Sequence, residues 1–203
     1  MARFEIAEKI TGRNEGGYAN NPADTGGETY AGIARNHWPK WDGWVYIDRL
    51  KSEYPKYKAN LNKNLTPYNL AKFINVNAPN QLSNDVSEFY KQNFWDVNKL
   101  DLIQDQQLAN TVYDFGVNSG TSRSAKFLQW AYNNLQTFNG ANLRLVEDGK
   151  IGSDTLKKVN SCNGKELYGC YNALRDTFYR SIAKGNQAQF LKSWLSRLKS
   201  YTK

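Results

Sequence analysis

Phe4-Glu5-Ile6-Ala7-Glu8-Lys9-Ile10-Thr11-Gly12-Arg13-Asn14-Glu15-Gly16-Gly17-Tyr18 opens on one pattern and closes on another. Phe4, Ala7 and Ile10 recur as one face of a helix, which is predicted to end near Gly12 to Asn14. Glu15 then stands in the last turn of that helix or just past it. From Asn14 to Ile33 no period survives. Gly, Asn, Asp and Pro dominate, and the stretch reads as a shaped loop or short hairpin. A carboxylate beside two glycines at a helix end is well placed to be displayed to a ligand.

Outward from that stretch the apolar spacing is helical almost throughout. Thr66-Pro67 reads as an N-cap with proline at the first helical position, and Ser83 as the cap of a run carrying Val86, Phe89, Tyr90 and Phe94. Leu108, Ala109, Val112 and Tyr113 mark a further helix. Thr121 is predicted to cap one carrying Leu128, Ala131, Tyr132 and Leu135. Two last helices are expected, through Tyr171, Leu174, Phe178 and Ile182, then through Phe190, Trp194, Leu198 and Tyr201. Lys51 to Asn64 and Asn75 to Asn84 read as polar loops. The expected fold is all-α or nearly so, in one bilobed body, with residues 1–98 as a motif-bearing region and 99–203 as a helical one.

Composition narrows the function. Of 203 residues 40% are hydrophobic and 23% charged, the balance of an ordinary folded domain. The formal charge of +8 favours an anionic partner, although a solvated basic surface gives the same number. The basic residues are scattered and no nucleic-acid motif accompanies them, so no nucleic-acid partner is expected. The first residues lack the apolar core of a signal peptide, and no stretch approaches the ~20 apolar residues of a membrane span. Synthesis in the cytoplasm without stable membrane insertion is expected. A substrate outside the membrane would then require a holin-type pore or a secretion route.

His37 is the sole histidine, which disfavours a zinc hydrolase and any Ser-His or Cys-His nucleophile. It reads as a loop histidine, and neither a metal nor a cofactor is implied. Cys162 and Cys170, if joined by helix, would lie about 12 Å apart, beyond the ~7 Å bridging limit, and are expected as free thiols unless a turn at Asn163-Gly164 brings them together.

The strongest signal is a string of motifs. Glu15-Gly16-Gly17-Tyr18 is followed by Pro22-Ala23-Asp24-Thr25-Gly26-Gly27, then Thr29 and Gly32-Ile33. Later come Asp114-Phe115-Gly116-Val117-Asn118-Ser119-Gly120, then Glu147-Asp148-Gly149-Lys150-Ile151-Gly152-Ser153-Asp154-Thr155, and finally Phe190-Leu191-Lys192-Ser193-Trp194-Leu195-Ser196-Arg197. This string resembles glycoside hydrolase family 108, the N-acetylmuramidases of endolysin and secretion-activator type, over nearly the whole chain. Ser193 departs from that family's usual glycine. The stretch from about Trp41 to Ser83 is longer than the resemblance accounts for. Its Trp41, Trp44, Tyr46, Tyr54 and Tyr57 either line a sugar groove or pack a helix.

The resemblance implies a lysozyme-like catalytic region at 1–98, a peptidoglycan-binding region at 99–203, and glycan strands of peptidoglycan as the partner of a monomeric enzyme. It implies action in the periplasm or cell wall, with Glu15 as general acid for the β-1,4 bond between N-acetylmuramic acid and N-acetylglucosamine. A free Glu titrates near ~4.3, and donation near neutral pH calls for a value of about 6, the effect of partial burial and of nearby helix C-terminal carbonyls. Phage lysozymes place a Glu, an Asp and a Thr at similar spacing across a hairpin. By that likeness Asp24 either stabilises the oxocarbenium-like transition state or orients water, and Thr29 holds the water. An Asx turn is the plain alternative for Asp24. Tyr18 and Tyr30 either contact sugar or anchor packing, and Asn118 either contacts substrate or caps the turn that follows it. A lytic transglycosylase would need only Glu15, and a non-catalytic wall-binding protein would need no acid there at all.

Overall fold

The computed structural model describes residues 1–11, 16–20, 26–59, 69–141, 143–199 and 201. The chain groups into two units, Gly12–Tyr90 and Met1–Thr11 with Lys91–Lys203. Helix dominates, and the mainly α class expected from periodicity holds.

In the unit 12–90, β1 (Tyr18–Asn20), β2 (Glu28–Tyr30) and β3 (Ile33–Ala34) pair antiparallel in chain order, so the described part of the aperiodic stretch contributes a small three-stranded sheet. Tyr18 lies opposite Tyr30 and Tyr30 opposite Ile33, while Ala19 and Ala34 flank Thr29. Side chains alternate along a strand, so Tyr18, Tyr30 and Ile33 share one face and Ala19, Thr29 and Ala34 the other. Ala31 and Gly32 form the β2–β3 turn with φ of +47° and +79°. Two left-handed residues suit a two-residue hairpin, but Ala31 adopts that conformation at a cost of about 1 kcal/mol. The Tyr90 hydroxyl, donating to the Ala31 carbonyl at 2.8 Å, holds the turn.

Three helices follow in this unit: α2 (Gly43–Ala59), α3 (Leu70–Asn77) and α4 (Asn80–Tyr90). Two expected loops are corrected here. Lys51–Ala59 continues α2, because the stripe of Trp44, Ile47 and Leu50 extends through Tyr54 and Tyr57, whose rings pack on Phe73 of α3 at 5.4 and 4.7 Å, while the rest of that expected loop, 60–64, lies outside the described residues. Most of 75–84 is also helical, and Ser83 lies inside α4, whose stripe begins one residue earlier at Leu82 and continues through Val86 and Phe89. Polar Lys, Asn and Ser between the stripe positions conceal both helices. The Thr66-Pro67 start lies outside the described residues. α3 is capped by Asn69, which accepts from Lys72 N at 2.9 Å. Trp41 and Trp44 meet edge-on at 5.2 Å, and Trp41 meets Phe89 at 6.2 Å, so these tryptophans pack helices.

In the other unit α1 (Phe4–Thr11) is joined by α5 (Gln106–Ser119), α6 (Thr121–Phe138), α7 (Ser153–Asn160), α8 (Gly164–Ile182) and α9 (Leu191–Leu195). α5 is its axis. Every residue from Leu108 to Gly116 is buried, and Asp105 caps the helix by accepting from Leu108 N at 2.8 Å. Phe4 of α1 meets Tyr113 edge-on at 5.7 Å, and Phe115 meets Phe127 of α6 at 4.9 Å and Phe178 of α8 at 5.6 Å. Gly120, with φ +94°, precedes α6, so Thr121 is its first residue and not its cap.

The Glu147–Thr155 motif is a scaffold. Gln129 of α6 donates to Asp148 at 2.8 Å and accepts from Gly149 N at 2.9 Å, and Asn133 bonds both ways with Leu145. Gly149 has φ +74°, and a Cβ there would stand 2.8 Å from the Ser122 carbonyl oxygen, so the loop requires glycine. The expected closing helix from Phe190 to Tyr201 is instead a 3₁₀ segment, Gly185–Phe190, followed by the short α9. Side chains tie the remaining tail down: the Tyr168 hydroxyl donates to the Lys199 carbonyl at 2.7 Å and the Tyr201 hydroxyl to Asp105 at 2.6 Å. Cys162 and Cys170 are free and half-buried.

Candidate functional site

Glu15 and Asp24 lie outside the described residues. Thr29, at the centre of β2, is half-exposed between the small side chains of Ala19 and Ala34. Its hydroxyl donates to the Ala19 carbonyl only at a long 3.4 Å.

Tyr18 and Tyr30 occupy the opposite face, so the register does not bring them together with Thr29. Tyr18 is 6% exposed, its ring packed within the unit. It anchors the sheet: its backbone N–H donates to Asn75 Oδ1 at 2.8 Å. Burial of its hydroxyl, reinforced by the neighbouring Glu28 carboxylate, pushes its pKa up to about 12. Tyr30 is half-buried and stacks on Trp41 at 6.3 Å, and burial raises its pKa.

Sequence reasoning missed Glu28. Its largely buried carboxylate is held by Arg35 Nε at 2.7 Å and Lys51 Nζ at 2.8 Å. Arg35 also forks onto Asp48 at 2.7 and 3.0 Å and lies 4.3 Å over the Trp44 ring. The Arg35 hydrogen bonds hold the Asp48 carboxyl below its usual range. This network ties β2 to α2 and so fixes the strand that carries Thr29. The available signal was Asp48 and Lys51 on one helix turn, opposite in charge to Arg35 and Glu28.

Asn118 lies in the other unit, near the end of α5, where its side-chain amide donates to the Asp114 carbonyl at 2.6 Å. That amide is engaged one turn back along its own helix. Asp114 is buried and takes one arginine on each oxygen: Arg175 at 2.5 Å and Arg197 at 2.7 Å. Arg175, fully buried and absent from the sequence expectations, also donates to the Tyr179 hydroxyl at 3.1 Å and, by a short contact, to Thr111 Oγ1. Two motifs distant in sequence, the one around Asp114 and the closing one with Arg197, thus meet in a single buried ion cluster. A cleft of about 510 Å³ opens beside it, with Gln107, Asn110, Thr111 and Asp114 lining it from one face of α5.

Residues 8–120 match the family described as Glycosyl hydrolase 108, a span that takes in the glycine-rich stretch, the sheet and α5. The chain belongs to glycosyl hydrolase family 108. Residues 130–199 match the family described as Predicted Peptidoglycan domain. Together the two matches make this family 108 chain a glycoside hydrolase directed at peptidoglycan. The solved structure of Brucella abortus SagA is similar to it, with a TM-score of 0.58 and 22% identity over 96% of this chain and 88% of that chain. At that identity the likeness is one of fold. No curated protein matches the chain. Among the described residues no helix is long and apolar enough to cross a membrane.

Proposed function

We propose that the chain is an N-acetylmuramidase that hydrolyses the β-1,4 bond between N-acetylmuramic acid and N-acetylglucosamine. Glu15 protonates the leaving glycosidic oxygen. Asp24, ionised, stabilises the oxocarbenium-like transition state and, with the Thr29 hydroxyl, orients the attacking water. The observation that carries this reading is the sheet register. It leaves Thr29 half-exposed between two alanines on the face away from the packed tyrosines, on the strand that follows Asp24 in sequence. A side chain so loosely engaged, within a tightly braced sheet, suits a water ligand better than a packing role. The enzyme acts as a monomer in the periplasm or wall, where its substrate lies, and reaches it through a holin-type pore or a secretion route.

Digestion of purified peptidoglycan followed by mass analysis of the new chain ends tests the reading. Reducing muramic acid ends are expected. A 1,6-anhydro sugar would assign a transglycosylase instead, and binding to the wall without new ends would leave only a wall-binding protein.

A further inference from the structure

We propose that the cleft beside the Asp114 cluster is a subsite for the carboxylate-bearing stem peptides of peptidoglycan, with Arg197 and Lys199 as the groups that hold the carboxylate. This rests on the reading of the chain as a peptidoglycan hydrolase and adds a second recognition element to it.

Charge is the first argument. The residues lining the cleft include one acid, Asp114, against Arg175, Arg197 and Lys199. Both oxygens of Asp114 are already taken by the two arginines, so among the described lining residues a positive excess remains with no further carboxylate to satisfy it. Geometry is the second. Arg197 engages Asp114 through Nη1, and its Nε and Nη2 have no partner among the described residues. Its side chain is 30% exposed. A guanidinium locked on one edge and open on the other is a pre-organised donor for a carboxylate, and little further entropy is lost when one binds.

Unmet polar demand is the third argument. Arg175 lines the cleft fully buried, yet its Nε–H has no hydrogen-bond partner among the described residues, and the same holds for the buried hydroxyl of Thr11 on the α1 side. Buried donors without partners in a wall that encloses about 510 Å³ point to a ligand that supplies acceptors. The rest of the lining favours a peptide over a bare anion. The Asn110 side-chain N–H and the Ser193 hydroxyl match peptide C=O and N–H, and Ile10, 47% exposed, offers an apolar contact for a small side chain. Arg175, Arg197 and Lys199 all fall within the span matched by the Predicted Peptidoglycan domain.

The test is calorimetric titration of the full chain with three probes: a synthetic stem tetrapeptide with free carboxylates, the same peptide fully amidated, and inorganic phosphate. The free peptide should bind best, and amidation should weaken it roughly tenfold or more. Arg197→Ala should abolish the difference between the two peptides, Lys199→Ala should reduce it, and Lys157→Ala, which removes an equal charge from the exposed face of α7, should leave it intact. If Arg197→Ala fails to fold, Lys199→Ala carries the test. Equal binding of both peptides overturns the proposal, as does equal loss in Lys157→Ala or phosphate binding as tight as the free peptide. Muropeptide release without peptide selectivity would remove this inference alone. Peptide selectivity without muropeptide release would remove the proposed activity and leave the subsite standing.

Discussion

Thr29 and Asp114 are both polar residues within the family 108 span, and the structure treats them oppositely. Thr29 sits on a three-residue strand, half-exposed between alanines and with one long side-chain hydrogen bond among the described residues. Asp114 sits on a helix whose neighbouring positions are all buried, and it is gripped by two arginines. A polar group on a short strand with one open face can be left for chemistry. A charged group inside a helical core has to be paired, because an unpaired buried charge costs several kcal/mol. Motif membership alone does not distinguish the two roles.

The sharpest way to break this contrast is Asp114→Ala. It strands the fully buried Arg175 without a carboxylate, and a loss of about 3–5 kcal/mol is expected by chemical denaturation. A loss under about 1 kcal/mol would mean the cluster does not hold the fold. Thr29→Val keeps the shape and removes the hydroxyl. Muropeptide release should fall roughly tenfold while stability changes by less than about 0.5 kcal/mol. Unchanged turnover would return Thr29 to the scaffold.

Smaller effects sharpen the picture of the sheet. Ala31 is held at φ +47°, so Ala31→Gly should raise stability by about 1 kcal/mol or somewhat less, after the added freedom of the unfolded chain. A destabilised variant would show that the turn is not strained. Tyr18 has a folded pKa raised to about 12, above the ordinary 10. The native state therefore keeps this proton after the unfolded chain has released it, and stability is fully present below about pH 10 and lost as pH climbs toward 12. Tyr18→Phe should lessen that alkaline loss without lowering stability at pH 7, as followed by thermal midpoints from pH 8 to 12. An identical alkaline slope in both proteins would place the titrating group elsewhere.

Much of this architecture was legible in the chain. The stripes of α5, α6 and α8 stand out because apolar residues recur without interruption, and the glycine-rich stretch announces a hairpin. The end of α2 was hidden because Lys and Tyr alternate where Leu or Val would mark a helix, and the start of α4 because its first residues are Asn and Gln. Sheet register was not legible, since strands of two and three residues carry too few positions to set a pattern. The ion clusters were not legible either. Arg175 meets Asp114 across 61 residues and Arg197 meets it across 83, and no local spacing encodes such pairs. Glu28 was passed over because the one local signal, Asp48 and Lys51 a turn apart, does not say which strand residues they meet until α2 packs on the sheet.

The central claim is that Glu15 is the proton donor of a muramidase, and Glu15→Gln tests it most directly. The amide keeps the size of the side chain and removes the acid. Muropeptide release from purified peptidoglycan should fall by about 10²- to 10⁴-fold, with the thermal midpoint and binding to intact peptidoglycan preserved. Release near the wild-type rate from the folded variant would contradict the account and place the acid elsewhere in the chain.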